Sequence, residues 1–480
     1  MIVAWIRHIL PMTSNQCYTS KQFNFVCEIV MQLFDLFHFS PQTKKILKTW
    51  IPLAASWLLM GIEMPAITAV MARLPHPEIS LAAHGGTAWP ISLLIEAPII
   101  MLLSASVALT NNWSSYQRIY RFMMISSFVL TSLHVAIAFT PAFDFVVQKI
   151  LSVPDEIIEP ARTAFRIMTP WTWSIAYRRC QQGVLIRYGH PEAVSIGTAI
   201  RLASGMTVLM IGLTVQTIPG YVVGALAHVI GTFCEAAYAG IRVRPVLKNQ
   251  VKTLHPGDPI AWKTFFAFYL PLALTSILNQ AWQPIGSAAL SRMPNALESL
   301  AVWSVVGGLV FMFRSIGFAY NEVVVALLGQ PGSSIHLRRF AGKLFLVILV
   351  IFILVAVTPL SYWWFTYISG ITPNLVAIAR IGFWLAIPMA ATSVLQSWFQ
   401  GAILFSRKTR AIPEATAIFL FTTLVILAVG ISLGTVTGLY IGMIAFSLAN
   451  IIQTTWLWIR SRKILSIVKE RDKNQIWQPL

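Results

Sequence analysis

The chain is poor in charge. Of its 480 residues only 11% are Asp, Glu, Lys or Arg, and acids are the scarcer sign, 17 against 35 Lys and Arg. Soluble globular domains carry about 25% charged residues, so a soluble globular protein is excluded. Cysteine is nearly missing: Cys17, Cys27, Cys180 and Cys234 are scattered without a C-x-x-C pair, which removes a disulfide framework and a cysteine zinc site. The 9 histidines show no H-E-x-x-H or other metal spacing, so neither metal nor cofactor is expected. There is no long alternating pattern of the kind a membrane barrel needs. No A-x-A cleavage signal follows the short apolar start MIVAWIRHILPM.

What remains is apolar. The composition is 56% hydrophobic with a mean hydropathy of +0.70, and stretches of about 20 apolar residues, the length that spans a bilayer as a helix, recur about twelve times. The chain therefore reads as an all-α polytopic membrane protein. Helices are expected at 49–71, 84–109, 119–140, 160–182, 192–215 and 219–240, then at 265–290, 300–328, 340–361, 373–404, 412–433 and 437–459. The net charge of +18 has a plain cause in this setting. Lys44, Lys45 and Lys48, Arg118 and Arg121, Arg178, Arg179 and Arg187, and the later basic loops fall on one side, leaving little more than Arg73, Lys149 and Arg292 on the other. By the positive-inside rule both termini are expected in the cytoplasm, and the expected location is the plasma (inner) membrane. Nucleic acid is not an expected partner.

The second half repeats the first. Pro52, Pro65, Arg73, Pro75 and Leu81 recur 219 residues later as Pro271, Pro284, Arg292, Pro294 and Leu300. Ala161, Arg162, Phe165 and Pro170 recur as Ala379, Arg380, Phe383 and Pro388, a Gln-Gly step follows at Gln182 and Gln400, and Pro-Glu-Ala opens the next helix at Pro191 and Pro413. Six spans per copy insert both halves the same way, which makes two parallel six-helix repeats with the expected site between them. The division is an N-terminal segment 1–48, a first lobe 49–241, a linker 242–264, a second lobe 265–460 and a basic tail 461–480. Residues 1–48 read as an amphipathic leader or, if translation starts at Met31, as partly untranslated.

Two six-helix lobes, each opening with a Pro-Leu-Ala helix and ending its fourth helix on Gln-Gly, resemble the multidrug/oligosaccharidyl-lipid/polysaccharide flippase superfamily, which includes the MATE exporters. PLAASWLLMGIEMPAITAVMARL, FYLPLALTSILNQAWQPIGSAALSRMP and VPDEIIEPARTAFRIMTPWTW look most like its progressive-ankylosis branch. The resemblance implies an alternating-access transporter. Its ankylosis-like branch implies export of anions such as pyrophosphate, nucleotides or citrate, and MATE proteins imply cation export against sodium or protons. The first helix lacks an acidic cluster beyond Glu63, a departure from the MATE pattern.

Charges inside the membrane cost a few kcal/mol each, about 2.5–3.5 on insertion scales, and so mark function or pairing. Arg314 is central and can fork onto a phosphate or carboxylate. Glu96 falls one residue from its repeat position, so two readings stand: a Glu96–Arg314 ion pair between the copies, or a substrate-linked role. Arg162, Arg166 and Arg380 form a candidate electropositive funnel near the outer mouth, or else pair with loop acids and headgroups. Gln280 and Gln283 offer hydrogen bonds from one helix face. Glu63 and Glu322 are candidates for ion coupling, proton or sodium, and Arg201 is expected to pair with Glu235 or a carbonyl. His84, His134 and His228 are read as packing residues. Arginines outnumber acids in this set, which favours a small anionic substrate. The alternatives are a MATE-type drug/cation antiporter, a lipid-linked substrate flippase and, more distantly, a membrane-embedded enzyme, for which no nucleophile–base spacing is found.

Overall fold

The computed structural model describes residues 41–253, 258, 260–406 and 410–474, and every element among them is helical. The leader reading of residues 1–40 lies outside the described residues. The first repeat comprises α1 (Pro41–Met71), α2 (Pro77–Leu109), α3 (Trp113–Phe139), α4 (Ile158–Ile167 and Thr169–Arg187), α5 (Glu192–Val215) and α6 (Gly220–Val251). The second comprises α7 (Trp262–Leu290), α8 (Ala296–Leu327), α9 (Ser333–Val357), α10 (Pro373–Phe405), α11 (Ala411–Leu433) and α12 (Gly438–Asn474). Among the described residues ten of these helices are long and apolar enough to cross a membrane. The two outside that count, α4 and α7, carry Arg178, Arg179, Gln280 and Gln283 on faces turned into the protein. Their polar faces are inner walls, so hydropathy alone undercounts them.

Local signals set the ends. Asn112 caps α3, its Oδ1 accepting from the Ser115 N–H at 2.8 Å, and Pro77 and Pro373 sit in first turns, where a missing N–H costs nothing. Large apolar side chains such as Phe128, Leu346 and Phe421 stand outward, as lipid-facing residues do in a membrane helix.

Several expected boundaries move. Pro41 to Lys48, read as part of a separate segment, are the first turns of α1. The linker begins later, because α6 continues through Arg242 and Arg244 to Val251. The tail is no free basic extension, because α12 continues to Asn474. There Arg471 donates to the carbonyls of Leu328, Gly329 and Gln330, while Asp472 accepts from the Ser334 N–H at the start of α9. The tail thus closes the end of α8 and the beginning of α9.

The backbone records the duplication even where side chains have diverged. His76 and Asn295 hold φ of 54° and 55° at the turn after the first helix of each repeat. Ser152 and Gly370, then Gln216 and Gly434, form two more left-handed pairs 218 residues apart. Ser152 and Gln216 accept a conformation that glycine adopts freely, so the turn has been kept at the expense of local strain. A π-helical stretch at Leu81–Ala88 in α2 has no counterpart in α8. It inserts one residue and changes the offset between repeats from 219 to 218. Beyond it Glu96 is the repeat position of Arg314 itself.

The first helices cross over: α1 packs chiefly on α8, and α7 on α2. Gly85 and Gly86 let α2 approach α8 closely beside this crossing, since a Cβ on Gly85 would stand 2.4 Å from the Ser304 Cβ and one on Gly86 2.9 Å from the Leu300 Cβ. Two symmetric pairs of hydrogen bonds pin the repeats together. Toward the face where α1 begins, the basic side, the Trp50 indole donates to the Ile316 carbonyl at 3.3 Å and its repeat counterpart Tyr269 donates to the Pro98 carbonyl at 2.6 Å. At the far side, Arg73 donates to its own Ala69 carbonyl at 2.6 Å and across to the Tyr367 carbonyl. Arg292 does the same, to Ala288 at 2.6 Å and across to Ile150 at 2.6 Å. Each arginine therefore caps the carbonyl end of a short helix in the opposite repeat, where a cation is favoured.

Replacing both arginines (Arg73→Ala with Arg292→Ala) removes these caps. The distance between spin labels placed at the exposed positions Ile150 and Tyr367, in a background without native cysteines, is expected to gain a longer population. An unchanged distribution would show that the caps do not hold the far side shut.

Candidate functional site

A cavity of about 360 Å³ lies between the repeats. Its walls come from α1, α2, α5 and α6 on one side and α7, α8, α10 and α12 on the other. Three charged side chains line it, Glu63, Arg201 and Arg314, with Gln280, Gln283 and the aromatic faces of Trp89, Trp282 and Trp303. Of the residues singled out from sequence, the structure thus brings Arg314, Glu63, Gln280 and Gln283 together.

The first repeat pairs several of its own charges. Arg201 Nη1 meets Glu63 Oε2 at 2.8 Å, and its Nε stands 3.3 Å from Glu235 Oε2. Glu235 also binds Arg178 and accepts from Gln182 Nε2 at 2.9 Å. Glu96, 3% exposed, lies within electrostatic reach of Arg178, Arg179 and Arg201. Three acids and three arginines thus share one buried cage. The expected pairing of Arg201 with Glu235 is present. The Glu96–Arg314 ion pair is not: Glu96 turns into its own repeat, toward three guanidiniums with which it makes no ion pair among the described residues.

Arg178 and Arg179 are the residues misplaced by the sequence reading, which left them in a basic-side loop. The helix α4 runs on to Arg187, so both stand two turns inside it. The signal was available in Tyr188-Gly189, the first true helix-ending pair after them.

In the second repeat the cage is gone. Gly212 meets Val223 as Gly430 meets Ile441, a register that pairs Arg201 with Phe419, one helical turn away from the match given by the two Pro-Glu-Ala runs. Glu63 corresponds to Trp282, Arg178 to Gln396, Arg179 to Ser397 and Glu235 to Gln453. Only Glu96 has a charged counterpart, Arg314. Its Nη2 donates to Asn450 Oδ1 at 3.0 Å and its guanidinium lies 5.1 Å from the Phe318 ring centre. The Arg314 Nε is buried without a partner, and no carboxylate pairs with this residue among the described residues.

The histidines are less idle than expected. His84 Nε2 and His228 Nδ1 are 3.1 Å apart, and His228 stacks on Trp89 with ring centres 4.1 Å apart at the cavity wall. Their ring separation of 5.2 Å is matched by the corresponding Trp303 and Phe446, also 5.2 Å apart. His134 packs on Phe165 as Phe352 packs on Phe383. His134 and the pair of His84 and His228 thus occupy aromatic packing positions and also hydrogen bond.

The arginine funnel does not assemble. Arg162 binds Asp144 and Glu159 and covers the Phe143 ring. Arg166 donates to the Ala138 carbonyl at 3.0 Å and lies over Phe139. Both therefore face the far end of α3 rather than the cavity, because the inner side of α4 is filled by Phe165 and Trp171. Arg380 is half-buried and also lies outside the cavity wall. Glu322 accepts from Trp57 Nε1 at 3.1 Å on the basic side of the cavity and does not line it.

No protein-family model matches the chain, and no curated protein matches it by sequence. Solved structures match it closely in shape. An inward-facing multidrug resistance MATE family transporter of the MOP superfamily aligns at a TM-score of 0.67 with 14% identity, over 87% of this chain and 98% of that one. An outward-facing transporter of the same description aligns at 0.54 with 16% identity, over 90% and 97%. The lipid II flippase MurJ in an inward closed conformation aligns at 0.55 with 11% identity, over 87% and 90%. The chain has the MATE fold, as the repeat pattern and resemblance led us to expect.

Removing one partner of a buried pair costs about 3–5 kcal/mol, whereas removing both can be close to neutral. Glu235→Gln is therefore expected to lower the thermal unfolding midpoint in detergent. Adding Arg178→Gln, which gives this repeat the pair already present as Gln453 and Gln396 in the other, is expected to restore most of the loss. Absence of recovery would mean that Glu235 acts chiefly through Arg201.

Proposed function

We propose that the chain is an alternating-access membrane transporter that exports a small organic or phosphate-bearing anion of the pyrophosphate, nucleotide or citrate class. The observation that carries this reading is Arg314, a guanidinium at the wall of the central cavity with no carboxylate partner among the described residues. The six charges of the first repeat cancel, so the cavity keeps one formal positive charge. An anion is the ligand that completes it. Asn450 holds Nη2, so an incoming oxygen would be met by the remaining N–H groups of the guanidinium at the cavity wall, while Gln280 and Gln283 supply neutral amide donors.

The volume, near the lower end of the about 300–1,000 Å³ usual for small-molecule sites, suits pyrophosphate or citrate better than a nucleotide or a lipid-linked sugar. Glu63 is the coupling group of this scheme: a proton on its carboxylate weakens the bond to Arg201 and turns a second guanidinium toward the ligand. On this reading the basic side and both termini are cytoplasmic, the orientation that basic loops favour, and the membrane is the plasma (inner) membrane. The far side is capped by Arg73 and Arg292 and the basic side is joined by Trp50 and Tyr269, so in this scheme the described state has both closures made and breaking the basic-side pair is the step that loads from the cytoplasm. The two repeats then rock as lobes about the cavity. The progressive-ankylosis resemblance favours the same substrates.

A charged hydrogen bond contributes about 1.5–3 kcal/mol, so in proteoliposomes Arg314→Gln is expected to lower citrate and pyrophosphate flux about ten- to a hundredfold at subsaturating substrate. Glu63→Gln, which frees Arg201, is expected to tighten anion binding and flatten its pH dependence. Flux of a cationic dye without anion flux would overturn the proposal in favour of cation antiport. Translocation of a lipid-linked sugar alone would overturn it in favour of flipping.

A further inference from the structure

A second cavity, of about 640 Å³, opens at the basic side between α9, α10 and α12. Arg338 and Arg339 reach it from α9, Arg462 and Lys469 from α12, and Trp398 and Trp458 give it aromatic walls. No acid lines it. Of the neighbouring acids, Asp472 is engaged by Arg471 and Glu414 by Arg460, while Glu470, beside Lys469, is exposed and outside the lining. The Arg462 guanidinium lies 3.5 Å from the Trp458 ring centre, which fixes the fork at the rim of the cleft.

We infer that this cleft binds the headgroup of an anionic glycerophospholipid. Four cations converging without a counter-ion call for an anion, and the rest of the cleft says which kind. Its floor is apolar, with Leu395, Phe399 and Leu465. The outward stripes of α9 (Leu346, Val350, Leu354) and α12 (Leu448, Ile452, Ile459) run down the faces of the same two helices from which its cations come. A phosphate with acyl chains satisfies both parts, the chains lying along these stripes and the phosphate meeting the arginines; a free phosphate satisfies only one. Charges that merely set topology need neither a cavity nor convergence. Basic pockets between membrane helices on the cytoplasmic side are the physical form that recognition of acidic headgroups takes.

The first repeat supplies an internal control. Arg244 is the repeat counterpart of Arg462, and the cleft it lines beside Trp173 and Tyr177 is smaller, about 330 Å³, with Arg244 as its single cation. Arg339 corresponds to Arg121, whereas Arg338 and Lys469 correspond to the uncharged Tyr120 and Val251. The converging set belongs to the second repeat.

The test uses full-length, delipidated protein in detergent. Dioleoyl phosphatidylglycerol, dioleoyl phosphatidylcholine and inorganic phosphate are added separately and the unfolding midpoint is followed. Phosphatidylglycerol is expected to raise the midpoint more than phosphatidylcholine does, with no rise from inorganic phosphate. The shift should be lost in the variant carrying Arg338→Gln, Arg339→Gln, Arg462→Gln and Lys469→Gln and retained with Arg121→Gln and Arg244→Gln. Native mass spectrometry of the single variant Arg462→Gln gives an arm that a folding defect in the fourfold variant does not touch. Its bound phosphatidylglycerol should fall about fivefold per cation removed. An equal shift in the fourfold variant, an equal response to phosphatidylcholine, a matching rise from inorganic phosphate or unchanged occupancy in Arg462→Gln would each overturn the inference.

Discussion

A charge withdrawn from water must be compensated inside the protein, and the two halves of this chain meet that constraint in opposite ways. In the first repeat Glu63, Glu96 and Glu235 face Arg178, Arg179 and Arg201, and the chain keeps a neutral cage at the expense of desolvating all six groups. In the second repeat Trp282, Gln396, Ser397, Phe419 and Gln453 stand at five of the six positions. Those residues need no counter-ion. The remaining position holds Arg314, so the second half contributes one cation and no acid to the cavity. The proposed anion specificity follows from this imbalance rather than from the total number of arginines.

The duplication explains how such an imbalance is tolerated. What the repeats share is backbone: the left-handed turns at His76 and Asn295, Ser152 and Gly370, Gln216 and Gly434, the helix breaks at Met168 and Ala386, and the crossing of each first helix onto the other repeat. At the three histidine positions the side chains keep their shape while changing their polarity. His84, His134 and His228 fill the places of Trp303, Phe352 and Phe446, flat rings in each case. Shape holds the packing, which leaves polarity free to diverge.

Much of this was legible in the sequence because the repeat is written in residues with backbone consequences. Pro52 and Pro271, Arg73 and Arg292, and the Gln-Gly steps located both copies, and long apolar runs located the helices. The partners of individual charges were not legible. Arg178 and Arg179 look like loop residues until α4 is seen to continue to Arg187, and Arg162 and Arg166 look cavity-facing until Phe165 and Trp171 occupy that side. Glu96 missed its counterpart by one residue because a π-helical turn, which leaves no periodicity to detect, absorbs the difference. Helix rotation decides each of these, and the hydrophobic pattern constrains it weakly in a chain that is apolar on both its lipid and its protein faces.

The same symmetry bears on how such a molecule would change state. The far side is joined by Arg73 and Arg292, each holding a carbonyl in the opposite repeat, and the basic side by Trp50 and Tyr269, each doing likewise. Trp50 and Tyr269 sit on α1 and α7, the helices that cross between repeats, and Arg73 and Arg292 in the turns that follow them. In the proposed cycle a rocking motion about the cavity would stretch the two bonds on one side while leaving the two on the other near their axis, so each closure would open as a pair. The arginine bonds cap helix ends, where a departing guanidinium leaves carbonyls that water can satisfy only once the face is open. That couples solvent entry to the breaking of both caps and favours two discrete arrangements over a continuum. Arg314 lies two residues before Ile316, whose carbonyl receives the Trp50 bond, so an anion that draws Arg314 toward the cavity centre pulls on the segment of α8 that holds the basic side together.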